Sequence, residues 1–292
     1  MTYRVLKPFD FLEPVTLGDA LGLLSRHGSV AKILAGGVSL IPDMRLRYVT
    51  PDYVISIQKI PSLDYIEMDK KNHLTLGPMT TLYAMEHSDL IQEKYPVLYE
   101  AVRQIHSVQA KVMGTAVGNI CTGTPASDVA SVLLVLDGRL RIASKASEKI
   151  VPVEDFFVGA RRTVLRPDEM VTEIIIPPVA ALTGHAFYKL TKTMADIGKL
   201  NVSTAIRVDK NWCAECRIAL GSVAPIPMRA RKAEQFLKGK TIDQEMISGA
   251  AGVAAGEARP ITDIWSTAEY RTEMIKVVVR RAVNKAVERA RQ

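Results

Sequence analysis

The chain has 292 residues, 48% of them hydrophobic and 24% charged, an ordinary soluble composition that can bury a large core in two or three compact units. Its longest apolar run, 132–136, is far below the ~20 residues that cross a bilayer, so no membrane span is expected. A net charge of +7 raises nucleic acid as a partner, but the cations are scattered and the aromatics, 6% of residues, do not interleave with them as a stacking surface requires, so nucleic acid is excluded.

The chain opens Met1-Thr2-Tyr3-Arg4 without the apolar stretch of a signal peptide, and the cytoplasm is the expected location. Thr16 starts a predicted helix over 17–26, with Asp19 at the third position as in a capping box. A strand at 31–34 runs into Ala35-Gly36-Gly37-Val38-Ser39-Leu40-Ile41-Pro42. A short helical turn and a strand at 53–57 follow. Such a strand–helix–strand unit, with its loop at a strand's carboxyl end, is a place where phosphates are held. From about Pro61 the pattern changes to short strands at 63–67 and 73–76, a helix capped by Thr80 or Thr81 and running to Ser88, and a second helix over 95–105. A second glycine segment, Thr115-Ala116-Val117-Gly118-Asn119, leads through Pro125-Ala126-Ser127-Asp128 into an apolar helix over 129–136, with Asp128 read as its cap. Strands at 140–143 and 171–176 close this unit. Pro177-Pro178 marks a boundary, because the pair suits neither a helix interior nor a central strand. Strand-like runs at 184–191, 202–208 and 212–220 predict an antiparallel sheet, and helices near 228–237, 243–257 and 267–290 complete the chain.

Neither glycine segment is a G-x-G-x-x-G fingerprint. Glycine lets the main chain approach a ligand and take positive φ, and successive free N–H groups in such a turn hold anions. A tight turn without a ligand is the competing reading of any one glycine pair. Two such segments, each with hydroxyls and amides beside the glycine, point to a diphosphate held from both sides. Side chains for bond-breaking are missing: there is no G-x-S-x-G elbow and no H-E-x-x-H pair. His27, His73, His87, His106 and His185 share no metal-ligand spacing and read as surface or satisfied core residues. Cys213 and Cys216 stand on a predicted strand, where residues three apart face opposite sides; they are expected to be structural. Cys121 has no redox partner. The cations Arg280, Arg281, Lys285, Arg289 and Arg291 read as a solvated face complementing the last helix's dipole. No catalytic side chain and no metal site is expected, which fits a protein whose reactive group is a cofactor.

These segments resemble the FAD-binding medium subunits of the molybdenum hydroxylases, in which the first reads approximately A-G-G-T/H-D/S-L-I-P and the second T-I-G-G-N-x-x-x-x-x-P-x-x-D. The resemblance continues, in the family's order, through Tyr188-Lys189-Leu190, Asp196-Ile197-Gly198-Lys199 and Ala268-Glu269-Tyr270-Arg271. It implies an α+β chain: a two-part FAD-binding domain of the vanillyl-alcohol-oxidase/PCMH type over 1–176, with subdomains near 1–58 and 59–176, then a C-terminal flavoprotein domain of the carbon monoxide dehydrogenase type over 177–292. The latter holds a three-stranded antiparallel sheet and a helical bundle. The resemblance further implies non-covalent FAD, gripped by Ile33, Leu34, Ala35, Gly36, Gly37, Val38, Ser39 and Leu40 on one side and by Thr115, Ala116, Val117, Gly118 and Asn119 on the other. Asp128 accepts from a hydroxyl, while Lys199 and the backbone near Val171 also touch the cofactor. Val117 replaces the first glycine of the second segment and relaxes the backbone approach expected there. Ile197 and Ile105 stand where branches of the family have aromatics near the ring, which leaves one flavin face open unless a residue such as Tyr188 covers it.

The function so implied is electron transfer. A molybdopterin large subunit oxidises substrate and a two-cluster [2Fe–2S] small subunit relays the electrons. This chain passes them to an external acceptor (NAD, quinone or ferredoxin), within a dimer of heterotrimers. No iron–sulfur cysteine set is present, so the clusters belong to another polypeptide. Two alternatives are a structural subunit that has lost flavin, suggested by Val117, and a free-standing flavin dehydrogenase.

Overall fold

The first elements of the computed structural model, which describes residues 5–194 and 196–292, are β1 (Asp10–Leu12), α1 (Leu17–His27), β2 (Ala31–Leu34), α2 (Leu40–Arg45) and β3 (Tyr53–Ser56). The three strands form a parallel sheet in the order β1-β3-β2. Thr16 caps α1 by accepting the Asp19 N–H at 3.1 Å. Ala20, Leu24, Ile55 and Ile57 form the core of this unit, joined by Met170 from further along the chain. Parallel pairing sets the carboxyl ends of β2 and β3 side by side, so the first glycine segment emerges at that edge. Met1–Arg4, on which the signal-peptide reading falls, lie outside the described residues.

The second unit runs through β4 (Ile66–Met68), β5 (Leu74–Leu76), α3 (Leu82–Glu86), α4 (Asp89–Lys94), α5 (Pro96–Arg103), α6 (Val108–Met113), α7 (Ala116–Cys121), α8 (Asp128–Val135), β6 (Arg139–Ala143), β7 (Glu148–Pro152), α9 (Val153–Phe156), β8 (Phe157–Gly159), β9 (Arg162–Thr163) and β10 (Met170–Ile176). Its antiparallel sheet is ordered β4-β5-β10-β6-β7. Three of the short helices, α4, α6 and α7, have no counterpart in the sequence reading. Their starts are set by Ser88, Ser107 and Thr115, whose hydroxyls accept the N–H groups of Ile91, Ala110 and Gly118; six residues are too few for a 3.6-residue period to show. Every residue of α8 is buried, which explains its unbroken apolar sequence.

The last unit contains β11 (Thr183–Leu190), β12 (Leu200–Asp209), β13 (Trp212–Gly221), β14 (Met228–Arg229), α10 (Arg231–Leu237), α11 (Gln244–Glu257) and α12 (Ala268–Ala290). The three expected strands pair in sequence order, and β14 adds a two-residue edge where a helix start was expected. Helix α12 packs on β11 and β12, while α8 packs on β12 and β13. The C-terminal sheet is therefore shared between its own helices and the second unit. No helix among the described residues is long and apolar enough to cross a membrane.

One expectation is reversed here. The β12–β13 register passes from Arg207 opposite Glu215 to Val208 opposite Cys213, so Ala214 is an extra, bulged residue. A bulge re-aims the side chains beyond it, and both cysteines are buried on the same face, near enough for each thiol to shift the other's titration. They are free thiols within the C-terminal core.

His185, on β11, is buried at the seam near Arg289 and Arg217, and burial followed by those two guanidiniums pushes its imidazole down to about 4. An ordinary histidine titrates near 6.5, so below that pH the unfolded chain binds a proton that the folded chain refuses. This contribution is complete above about pH 7 and is lost progressively between about 6.5 and 4, at a total cost of about 3 kcal/mol. Denaturant unfolding at pH 7.5 and pH 4.5 is expected to differ by roughly that amount more in the wild type than in His185→Gln. Equal acid sensitivity in the two would dismiss the assignment.

Candidate functional site

The first glycine segment is shaped by two contacts that a side chain would prevent. Gly37 has φ +75°, in the left-handed region. At Gly36 a Cβ would fall 1.5 Å from the Met113 carbonyl oxygen, so the absent side chain is what lets this segment lie against the residues just before Thr115. The Ala35 carbonyl accepts the Gln58 amide at 2.6 Å, and the Gly37 and Ser39 carbonyls accept from Ile41 and Asp43 as α2 begins. The N–H groups of Gly36, Gly37, Val38 and Ser39 find no acceptor among the described residues, and the Ser39 hydroxyl makes no cap. Ile33 and Leu34 belong to β2, and Leu40 opens α2.

The second segment differs from the expected loop. Residues Ala116–Cys121 are helical, and several of the predicted amides are used within the protein. The Gly118 N–H donates to Thr115 Oγ1 at 2.9 Å. The Asn119 N–H donates to the Thr115 carbonyl and the Ala116 N–H to the Thr80 carbonyl. The Val117 N–H has no acceptor among the described residues. Val117 itself is buried in the core of the second unit. Ser127, rather than Asp128, caps α8: its hydroxyl accepts the Ala130 N–H at 3.0 Å and donates to Asn119 Oδ1 at 2.5 Å.

Asp128 is turned instead into a buried cluster between the units. Lys189 Nζ donates to its Oδ2 at 2.6 Å, and Asn201 Nδ2 to its Oδ1 at 3.0 Å. Burial pushes the Asp128 carboxyl up, against the pull of the Lys189 ammonium and the Asn201 amide. Asn201 Oδ1 is buried without a partner among the described residues, in space left by Gly221, where a Cβ would stand 2.4 Å from it. From the sequence Lys189 stands only within the Tyr188-Lys189-Leu190 stretch of the resemblance and Asn201 carries no assignment; a lysine on a strand carries no sign that its head is buried.

Lys199 follows the turn between β11 and β12, with Nζ 5.5 Å from the centre of the Tyr270 ring. Ser222 ties that turn to the second segment, donating its N–H to the Pro125 carbonyl and its hydroxyl to the Gly198 carbonyl, both at 2.8 Å. Val171 is buried in β10, which packs against α7. Ile197 is exposed, Ile105 lies against the core of the second unit, and Tyr188 packs against the C-terminal core.

The molecule thus sets the first segment against Met113, just before the second, and turns Asp128 to Lys189 and Asn201 at the seam behind it. Its donors are main-chain N–H groups, which suit the oxygens of a phosphate. Among the described residues no group of three or more histidine, cysteine, aspartate or glutamate side chains could hold a metal ion.

Residues 7–179 match the family described as the FAD binding domain in molybdopterin dehydrogenase, and residues 185–286 match the CO dehydrogenase flavoprotein C-terminal domain. The chain is 33% identical to the carbon monoxide dehydrogenase medium chain of Hydrogenophaga pseudoflava, over 95% of this chain and 96% of that one. It is 29% identical to the glyceraldehyde dehydrogenase medium chain of Sulfolobus acidocaldarius, covering 94% and 96%. A solved structure of the Hydrogenophaga pseudoflava carbon monoxide dehydrogenase, which lacks the Mo-pyranopterin moiety of its cofactor, superposes with a TM-score of 0.94 at 33% identity, covering 98% of this chain and 99% of the other.

Proposed function

Because the chain belongs to the family of FAD-binding medium subunits of molybdenum-dependent dehydrogenases, we propose that it binds FAD non-covalently and is the electron-transferring flavin subunit of such an enzyme. The observation that supports this most directly is the run of N–H groups from Gly36 to Ser39 that have no acceptor among the described residues, beside the close contact of Gly36 with Met113. Those amides, with the Val117 N–H and the Ser39 hydroxyl, would hold the diphosphate. Asp128 would accept from a hydroxyl through the lone pairs that Lys189 and Asn201 leave free, and Lys199 and the backbone near Val171 would meet the cofactor from the seam. Bound FAD supplies the redox chemistry that this chain's side chains lack.

In this reading electrons arrive from a [2Fe–2S] small subunit after oxidation of substrate in a molybdopterin large subunit, and leave to NAD, a quinone or a ferredoxin. The assembly is a dimer of heterotrimers in the cytoplasm, and the domains divide at Pro177-Pro178 into 1–176 and 177–292. The buried side chain of Val117 is compatible with this reading, which is preferred to a structural subunit without flavin. The test is to denature the purified chain in acid and quantify the flavin released. Stoichiometric FAD is expected; a colourless protein that takes up none from a micromolar excess would end the proposal.

A further inference from the structure

The turn of the β8–β9 hairpin touches both parts of the candidate site. Arg161 sits there with φ +58°. Its N–H donates to the Gly123 carbonyl at 2.9 Å, just past α7, the helix that the second glycine segment begins. Gly123 has φ +62°, and a Cβ on it would stand 3.0–3.1 Å from the backbone of Arg161 and Arg162. The side chain reaches the other way. Arg161 Nη2 pairs with Asp43 Oδ2 on α2, the helix that follows the first glycine segment, and its guanidinium lies 5.9 Å from the centre of the Tyr48 ring. One residue therefore anchors to α2, which follows the first segment, and to Gly123, two residues past the end of α7, and it does so across the division between the first unit and the second.

We propose that Arg161 is a positioning residue, holding the two segments at the separation a dinucleotide diphosphate needs. This deepens the FAD reading and rests on it for the identity of the ligand. The left-handed backbone makes the test clean. Glycine is favoured at φ +58°, so Arg161→Gly removes the guanidinium without straining the chain and should leave the melting temperature unchanged or higher.

Flavin-stripped protein, full length, is titrated with FAD while flavin fluorescence is followed. Arg161→Gly is expected to weaken binding roughly five- to tenfold, the scale of a half-exposed ion pair and its ordering role. Asp43→Asn should match it, the double variant should be no weaker than either single one, and Arg161→Lys should keep most of the affinity. In parallel, amide hydrogen exchange of the flavin-free protein should quicken over 36–48 in Arg161→Gly. Wild-type affinity in Arg161→Gly, or unchanged exchange over 36–48, would overturn the inference. Failure of the wild type itself to bind FAD would instead strike the FAD reading, and the exchange result still decides whether Arg161 holds the segments.

Discussion

Alanine at position 36 is expected to strip the flavin from the chain while leaving it folded. Its Cβ would lie 1.5 Å from the Met113 oxygen, 2.5 Å from the Met113 carbonyl carbon and 3.2 Å from Gly114 Cα, all backbone atoms that cannot rotate aside. Residues 113–114 are themselves held, because the Gly114 carbonyl accepts from Leu82 at 2.9 Å and the Gly114 N–H donates to Ala110 at 2.7 Å. The clash is then relieved by moving the first glycine segment outward, on the ligand side. Forcing extra atoms into a packed contact costs about 1–3 kcal/mol, occasionally more. Spent on the geometry of the site, this is a loss of roughly ten- to a hundredfold in FAD affinity. Gly37→Ala provides a comparison with a different cause: its Cβ would press only on the side chains of Leu34 and Ile41, at 3.1 and 3.3 Å, but the residue sits at φ +75°, at about 1–2 kcal/mol. Flavin content after purification, and a titration of the stripped protein, measure both. Stoichiometric flavin in Gly36→Ala would refute the close-approach argument.

The second large effect concerns stability rather than affinity. Lys189→Met leaves the Asp128 carboxylate buried with only the Asn201 amide to satisfy it, and stripping a buried ion pair of one partner costs about 3–5 kcal/mol. For a chain of this size that is a fall of roughly 10 °C in melting temperature. The pair Lys189→Met with Asp128→Asn is expected to recover most of the loss, because the charge that needed an ammonium is gone. In the single variant the carboxyl is pushed up by burial with nothing charged to oppose it, so the folded state takes up a proton more readily than the unfolded one. The deficit is therefore greatest at neutral pH and shrinks as pH falls toward the ordinary carboxylate range. A single variant as stable as wild type, or a double variant no better than the single, would show that the cluster does not carry the seam.

The glycine segments were legible because the chemistry of a close approach is written in the residue itself: Gly36, Gly37 and Gly118 each stand where a Cβ would meet an atom or a forbidden φ. The strands at 31–34 and 212–221 and the long last helix were legible from period and apolar content. What escaped was short or was decided elsewhere. Helix α7 is six residues whose start depends on the Thr115 hydroxyl turning back to Gly118, and its coil-like sequence offers no period to count. Arg289 read as one of several solvated cations on α12, yet it crosses to the second unit to pair with Glu100 and to donate to the His185 carbonyl. Arg280 and Arg281 beside it are exposed, as a solvated face requires.

By itself the sequence determined most of the long elements and their order, and the place at Gly36 where the main chain must run without a side chain, since each of these follows from local residue chemistry. The tertiary structure alone decided that Gly36 meets Met113, that Asp128 points at Lys189 and Asn201, that one bulged residue brings Cys213 and Cys216 to the same face, and that Arg161 ties Asp43 on α2 to Gly123 beyond α7. Such contacts depend on which surfaces the folded units present to one another, and no local period or propensity encodes that choice.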